Sequence, residues 1–319
     1  MKSAKKWIVA ALLLILTGGV IFCGVMTAFG WDFTKLSTSS YEKNSYQVEE
    51  AYTNISVSTD TADIIFVLSE NSQTSVECYE RKKEKHSVTV EDGTLVIKAV
   101  DTRKWYEHIG IDFGSSKITV SLPQKEYEAL SIKSDTGDVA IPKELRFESI
   151  DIAGHTGDVK NYASTSGGIK VKTTTGKIYM EGVFAEKLDL TVSTGNVTAL
   201  DVACAGDVTV EVSTGKTCLT NLTCQNLTSS GDTGDILLKN VVATQKFTIE
   251  RDTGDVKFEG SDAAEIFVET DTGDVTGTLL TQKHFITKTD TGDVRVPDTK
   301  EGGRCEITTD TGDIEITLI

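Results

Sequence analysis

A Thr-Gly pair recurs ten times along this chain, and its spacing constrains the fold more than any other feature. The glycines are Gly137, Gly157, Gly176, Gly195, Gly215, Gly234, Gly254, Gly273, Gly292 and Gly312, always 19 or 20 residues apart. A period near 20 marks a solenoid, in which each repeat buries its apolar face against its neighbours.

The residues around each pair show what one repeat is. Seven before the glycine stands an apolar column that includes Leu130, Ile150, Ile169, Leu188 and Val208. Five before stand Ile132, Ile152, Val171, Leu190 and Val210; two after stand Val139, Val159, Ile178 and Val197; four after stand Ile141, Met180, Leu219 and Leu238. Offsets that differ by two place side chains on one face of a strand. Each repeat is therefore two short strands joined by a tight Thr-Gly turn, with glycine supplying a positive φ. The prediction is an all-β chain: a parallel β-solenoid (β-helix) of about ten 19–20-residue coils. Stacked about 4.8 Å apart, the coils make a rod about 48 Å long.

An eleventh, degenerate coil precedes the ten. Ile55, Val57, Ala62, Ile64 and Phe66 fit the same offsets around Asp60-Thr61-Ala62-Asp63. The period then breaks. Val88–Ile97 reads as a hairpin about Asp92-Gly93, and Ile118–Leu122 as a strand stopped by Pro123. Residues 48–130 are expected to form the first coil and an antiparallel β cap, and 131–319 the solenoid proper. Caps protect open solenoid ends. Glu315–Ile319 ends in pattern, so the C-terminal coil is expected to be open, docking on something or fraying.

Ahead of the repeats, Lys2, Lys5 and Lys6 precede 24 uncharged residues, Trp7–Gly30. As a helix these span about 36 Å, enough to cross a bilayer. The lysines orient residues 1–6 toward the cytoplasm and the bulk of the chain outside. The competing reading is a cleaved signal peptide, with Ala28-Phe29-Gly30 as a weak cleavage site. Cys23 would mark a lipoprotein only if a small residue preceded it, and Phe22 is bulky. Residues 31–47 read as a polar juxtamembrane linker. The net charge of −16 and a pI near 4.7 disfavour nucleic acid as a partner and favour cations or basic partners.

The N-terminal span, the Gly30-Trp31-Asp32-Phe33 junction and the Ser/Asp-Thr-Gly-Asp-Val repeats together resemble a bacterial family, the β-strand-repeat domains called "putative adhesins". Some of its relatives look like membrane-bound accessory proteins of envelope-stress systems. The resemblance covers nearly the whole chain and implies a bacterial cell envelope, most simply a Gram-positive one. It carries no catalytic motif. It implies a surface scaffold or binding module whose partner is a cell-wall polymer or another envelope protein.

Candidate sites follow from the turns. In the last five coils, both the residue after each glycine and the residue two before it are Asp: Asp232, Asp235, Asp252, Asp255, Asp271, Asp274, Asp290, Asp293, Asp310 and Asp313. Ten carboxylates along one edge could recruit Ca²⁺ weakly. The other reading is that Asp is a good turn residue and the repulsion is tolerated in solvent. No other cofactor is expected. Asp-Thr-Gly occurs six times, but an aspartic protease needs two carboxylates facing each other in one cleft, and these sit in register on turns. A polysaccharide-active β-helix enzyme would need loop insertions that form a cleft, and the even period leaves little room for them. The histidines, His86, His108, His155 and His284, show no metal-ligand spacing. Cys204 and Cys224 occupy equivalent positions of adjacent coils, within disulfide range or as a stack of small residues. Cys305 falls in a core column, while Cys78 and Cys218 have no evident partner. Trp105, Tyr106 and Phe113 form an aromatic stretch outside the repeats, either a ligand-gripping loop or part of the cap.

Overall fold

The computed structural model describes residues 2–32, 40–102 and 114–319. Helix α1, Lys2–Ala28, contains a 23-residue stretch of mean hydropathy 2.7, exposed except at Met26, which is long and apolar enough to cross a membrane. Among the described residues all other regular structure is β, and it joins into one continuous sheet that winds on itself.

The repeat folds as its columns require. Ile169 pairs with Ile150 on one side and Leu188 on the other, and Val171 with Ile152 and Leu190, all parallel and in register. Across the turn, Ile178 pairs with Val197 and Met180 with Ala199. These inward side chains are almost fully buried and form one core along the rod. Burying a column of Ile, Leu and Val contributes on the order of 2 kcal/mol per side chain. The turn glycine is fixed by two constraints at once. Gly195 has φ +146°, and a Cβ there would lie 1.8 Å from the Gly176 carbonyl oxygen of the preceding coil.

A second corner, which the period alone leaves unspecified, is equally regular. Asp201, Asn221 and Asn240 all hold φ near +50°, a region that Asn and Asp tolerate. Asn221 Nδ2 donates to Asp201 Oδ1 at 2.7 Å and Asn240 Nδ2 to Asn221 Oδ1 at 3.0 Å, giving a short side-chain ladder along that corner.

The N-terminal cap differs from a purely antiparallel lid. Strand β1 is Tyr41–Val48, β2 Asn54–Leu68, β3 Thr74–Arg81, β4 Glu84–Glu91, β5 Thr94–Asp101 and β6 Ser116–Leu122. Strand β2 is the degenerate coil, and β7 (Glu126–Thr136) and β8 (Val139–Ile141) pair with it in parallel. On its other side β5 and β6 also run parallel to β2, making a further coil-like layer. Strands β3 and β4 cover that layer antiparallel, and β1 adds antiparallel to β3. Strand β1 corrects the expected linker over 31–47: Tyr46 alternates inward and packs on the core, so this polar stretch gains a partner edge. The β4–β5 turn at Asp92-Gly93 has two positive φ values, as the sequence predicts.

The C-terminal coils do not stack in chain order. Gly303–Thr311 pairs with Val256–Thr272 on one side and Lys283–Thr291 on the other. Likewise Ile314–Leu318 lies between Val275–Leu279 and Val294–Arg295. The Gly312 coil is thus slotted between the Gly273 and Gly292 coils. This corrects the expectation that the last residues form the open end. The reason is burial: Cys305, Ile307, Ile314 and Ile316 of the Gly312 coil are apolar and covered. The Gly292 coil has Thr287 where the Gly312 coil has Ile307, and so loses less in that column by lying outermost. Among the described residues, Lys283–Thr291 pairs on one edge only.

Candidate functional site

The Asp columns come together along one edge, as the period requires, and the column after each glycine has a structural task. Asp158 N donates to Asp138 Oδ1 at 2.8 Å, and Asp274 N to Asp255 Oδ1 at 3.0 Å. The series follows the stacking order, not the chain: Asp313 N donates to Asp274 Oδ1 and Asp293 N to Asp313 Oδ1, both at 2.8 Å. In each of these coils one carboxylate oxygen is therefore committed to the neighbouring turn, and Asn196 does the same for Lys216 N at 2.9 Å. Lys216 interrupts the ladder; its Nζ lies 2.7 Å from Asp235 Oδ2, and that hydrogen bond holds the Asp235 carboxyl below its ordinary value. In the column two before glycine, Asp252, Asp271, Asp290 and Asp310 are exposed, as is Asp232.

Cys204 and Cys224 sit side by side, since Ala203 pairs with Thr223 in the same ladder. Both are buried and unbridged. Burial, with Cys204 beside it, pushes the Cys224 thiol up to about 12. Trp105, Tyr106 and Phe113 lie outside the described residues.

Several groups escaped the sequence reading. In the outward column six before glycine, which elsewhere holds Ser, Asp, Lys, Thr or Glu, two of the last three coils carry Phe267 and Ile286. Lys246 Nζ lies 4.0 Å from the Phe267 ring centre and Arg304 Cζ 5.4 Å from it, over a shallow depression of about 290 Å³. A polar column turning aromatic was a readable signal. In the cap, Lys125 Nζ lies 4.7 Å over the Tyr52 ring and 4.8 Å over the Tyr127 ring, beside a depression of about 430 Å³.

The cap also buries a polar cluster. Glu80 is 0 % exposed and His86 4 %. Glu80 Oε2 accepts the His86 backbone N–H at 2.7 Å and lies 2.7 Å from His86 Nδ1. Asn44 Nδ2 donates to Glu80 Oε1 at 2.7 Å, and Thr59 Oγ1 lies 2.9 Å from His86 Nε2. Cys78 faces the same space, its thiol pushed up to about 12 by burial and by the nearby Glu80 and Glu77. The alternation Cys78-x-Glu80 on an inward strand face was the available signal, but it is short.

The Toastrack DUF4097 family model matches residues 52–206 and again 201–319. The chain belongs to that family. Its two matches run from the degenerate first coil to the last residue. Among solved structures, a "putative adhesin" from Parabacteroides distasonis ATCC 8503 is 13 % identical, with TM-score 0.49, covering 88 % of this chain and 98 % of its own. A second, from Parabacteroides merdae ATCC 43184, is 9 % identical with TM-score 0.48 over the same shares. A "putative lipid binding protein" from Parabacteroides distasonis ATCC 8503 is 15 % identical with TM-score 0.40, covering 76 % of this chain and 95 % of its own. No curated protein matches this Toastrack chain.

Proposed function

We propose that this Toastrack protein is a non-enzymatic rod, anchored by α1 with its N-terminus in the cytoplasm, that presents its coils outside the membrane as a binding scaffold. The observation that carries this reading is the insertion-free repeat. With the period held at 19 or 20 residues, the outer faces of the middle coils are flat, mostly polar ladders, and the Asp-Thr-Gly triplets line one edge instead of facing each other across a cleft. Flat, repetitive faces suit a repetitive ligand such as a cell-wall polymer. Membrane vesicles carrying the full chain test this: pelleting with purified wall polymer above that of empty vesicles supports it, and equal pelleting contradicts it.

The outermost coil favours a second reading, an accessory protein of an envelope-stress system that engages another envelope protein. Lys283–Thr291 offers an unpaired parallel edge, flanked by half-exposed Phe285 and exposed Ile286 and Val294. Such edges accept an added strand. Photo-crosslinking from position 286, against position 209 on a middle coil, distinguishes the readings: a discrete adduct only from 286 favours the accessory role.

Weak Ca²⁺ binding at the acidic edge belongs to the scaffold reading, because each ladder carboxylate keeps one oxygen outside the ladder. A rise in melting temperature in millimolar calcium, lost in the combined Asp255→Asn, Asp274→Asn and Asp293→Asn variant, would establish it. No shift leaves the aspartates as turn residues.

A further inference from the structure

The cap brings three side chains of different donor type into one buried space. One ligand atom each from Cys78, Glu80 and His86 lies within 4.8 Å of the others. All three residues are more than nine-tenths buried. Cys78 and Glu80 alternate on the inward face of β3, and the Lys82-Lys83 turn brings His86 back on β4. The β3–β4 ladder is reduced to the single pair Arg81 with Glu84. Beyond it the Glu80 carboxylate, not a strand carbonyl, takes the His86 N–H. The chain thus gives up regular pairing at the point where it collects these groups. Their neighbours on the cap's inner face, Val76, Leu95, Ile97 and Ile118, are fully buried and apolar.

We propose that Cys78, Glu80 and His86 bind a divalent transition-metal ion of the zinc class, with Thr59 and Asn44 as the groups that orient its ligands. The donor set decides the class. One sulfur, one imidazole nitrogen and one carboxylate oxygen suit Zn²⁺ and its cobalt surrogate, whereas Ca²⁺ and Mg²⁺ take oxygen. A thiolate and a carboxylate together also neutralise a 2+ ion, which matters in an apolar cap. Among the described residues the Cys78 sulfur has no hydrogen-bond partner to displace.

The surrounding hydrogen bonds are those a metal histidine needs. The ring nitrogen that does not bind the ion is held by an outer group, which fixes ring orientation and tautomer. Here Thr59 Oγ1 holds Nε2 at 2.9 Å and leaves Nδ1 toward Glu80 and Cys78. Asn44 similarly holds Glu80 Oε1 and leaves Oε2 inward. Admitting the ion requires Nδ1 and Oε2, now 2.7 Å apart, to separate to about 3.4 Å, the span set by Zn–N and Zn–O lengths in a tetrahedron. Three protein ligands leave a fourth position for water. The alternative is that Glu80 and His86 simply pin the β3–β4 hairpin through the bonds already described, with no ion.

Cobalt titration of the full chain, purified in detergent and stripped of metal, separates the two. The proposal expects one Co²⁺ per chain, a near-ultraviolet thiolate-to-cobalt band, and displacement of that band by Zn²⁺. The band must vanish in Cys78→Ser and persist when Cys204 and Cys224 are both Ser. Thr59→Val keeps every ligand and removes only the outer bond, so it should retain the band with affinity about tenfold weaker. That variant keeps the test valid if Cys78→Ser fails to fold. Absence of a thiolate band in the wild-type chain overturns the proposal. So does a band that survives Cys78→Ser, or an affinity unmoved by Thr59→Val.

Discussion

The guanidinium of Arg251 occupies the space that a side chain at position 231 would need: a Cβ on Gly231 would lie 2.0 Å from Arg251 Nη1. Arg251 points into the core and is 3 % exposed. Nη1 donates to the Val212 carbonyl at 2.7 Å and Nη2 to Thr217 Oγ1 at 3.2 Å, while Nε has no partner. Burial pulls this group below the usual arginine range, and the nearby Asp232 and Asp252 pull it back up. Two aspartates of the acidic edge thus offset part of the cost of burying this cation.

Gly231→Ala is expected to lose at least about 2 kcal/mol in urea unfolding. Adding Arg251→Ala should rescue little, because the same Cβ meets the Val212 carbonyl oxygen at 1.8 Å. Arg251→Met alone should cost less than Gly231→Ala, since it replaces a buried, incompletely bonded charge by an apolar chain. Full rescue by the double variant would mean that the backbone approach at 231 is less rigid than it stands here.

The aspartate ladder makes a prediction about isosteres. Asp274 Oδ1 accepts the Asp313 N–H, and Asn keeps that acceptor while removing a charge. Asp274→Asn should change stability by less than about 0.5 kcal/mol, and Asp274→Ala should cost about 1 kcal/mol. Equal losses in the two variants would argue for a role of the charge itself.

Lys283 and Asp262 tie the outermost coil to the body. Their side chains lie 2.6 Å apart, 3 % and 8 % exposed. Lys283→Met leaves the carboxylate buried alone and should cost about 3 kcal/mol. The loss should appear as faster amide exchange over residues 283–311, with the middle coils unchanged.

Alkaline pH should weaken the fold through buried thiols. Burial pushes Cys224 and Cys305 up to about 12, whereas a thiol in the unfolded chain titrates near about 8.5. The folded state therefore holds these protons longer. Their stabilisation is complete below about pH 8.5 and is lost as pH rises toward 12, by about 1.4 kcal/mol per pH unit for each thiol. Cys224→Ala with Cys305→Ala should flatten that decline; an unchanged slope would contradict the assignment.

What the sequence made legible was whatever repeats. The columns beginning at Leu130 and Ile132 predicted the strands, their inward faces and the parallel register, because a solenoid confronts every coil with the same geometry. Coil order was not legible, since the Gly292 and Gly312 coils present the same pairing edge to the Gly273 coil. Only Thr287 against Ile307 hints at which is covered. The Asp edge was visible as a row of charges, but its backbone bonds were not, because they join residues 19 to 39 apart. The cap cluster depends on a hairpin that breaks its own ladder at Glu80, which no periodic pattern announces.

The most direct test of the anchored rod is labelling by a membrane-impermeant maleimide at Ile286→Cys on the outermost coil, in a Cys218→Ser background. Position 286 should react on intact cells as fast as after lysis, with the chain remaining in the membrane fraction. Reaction only after lysis would place the coils on the other side of the membrane and contradict the account.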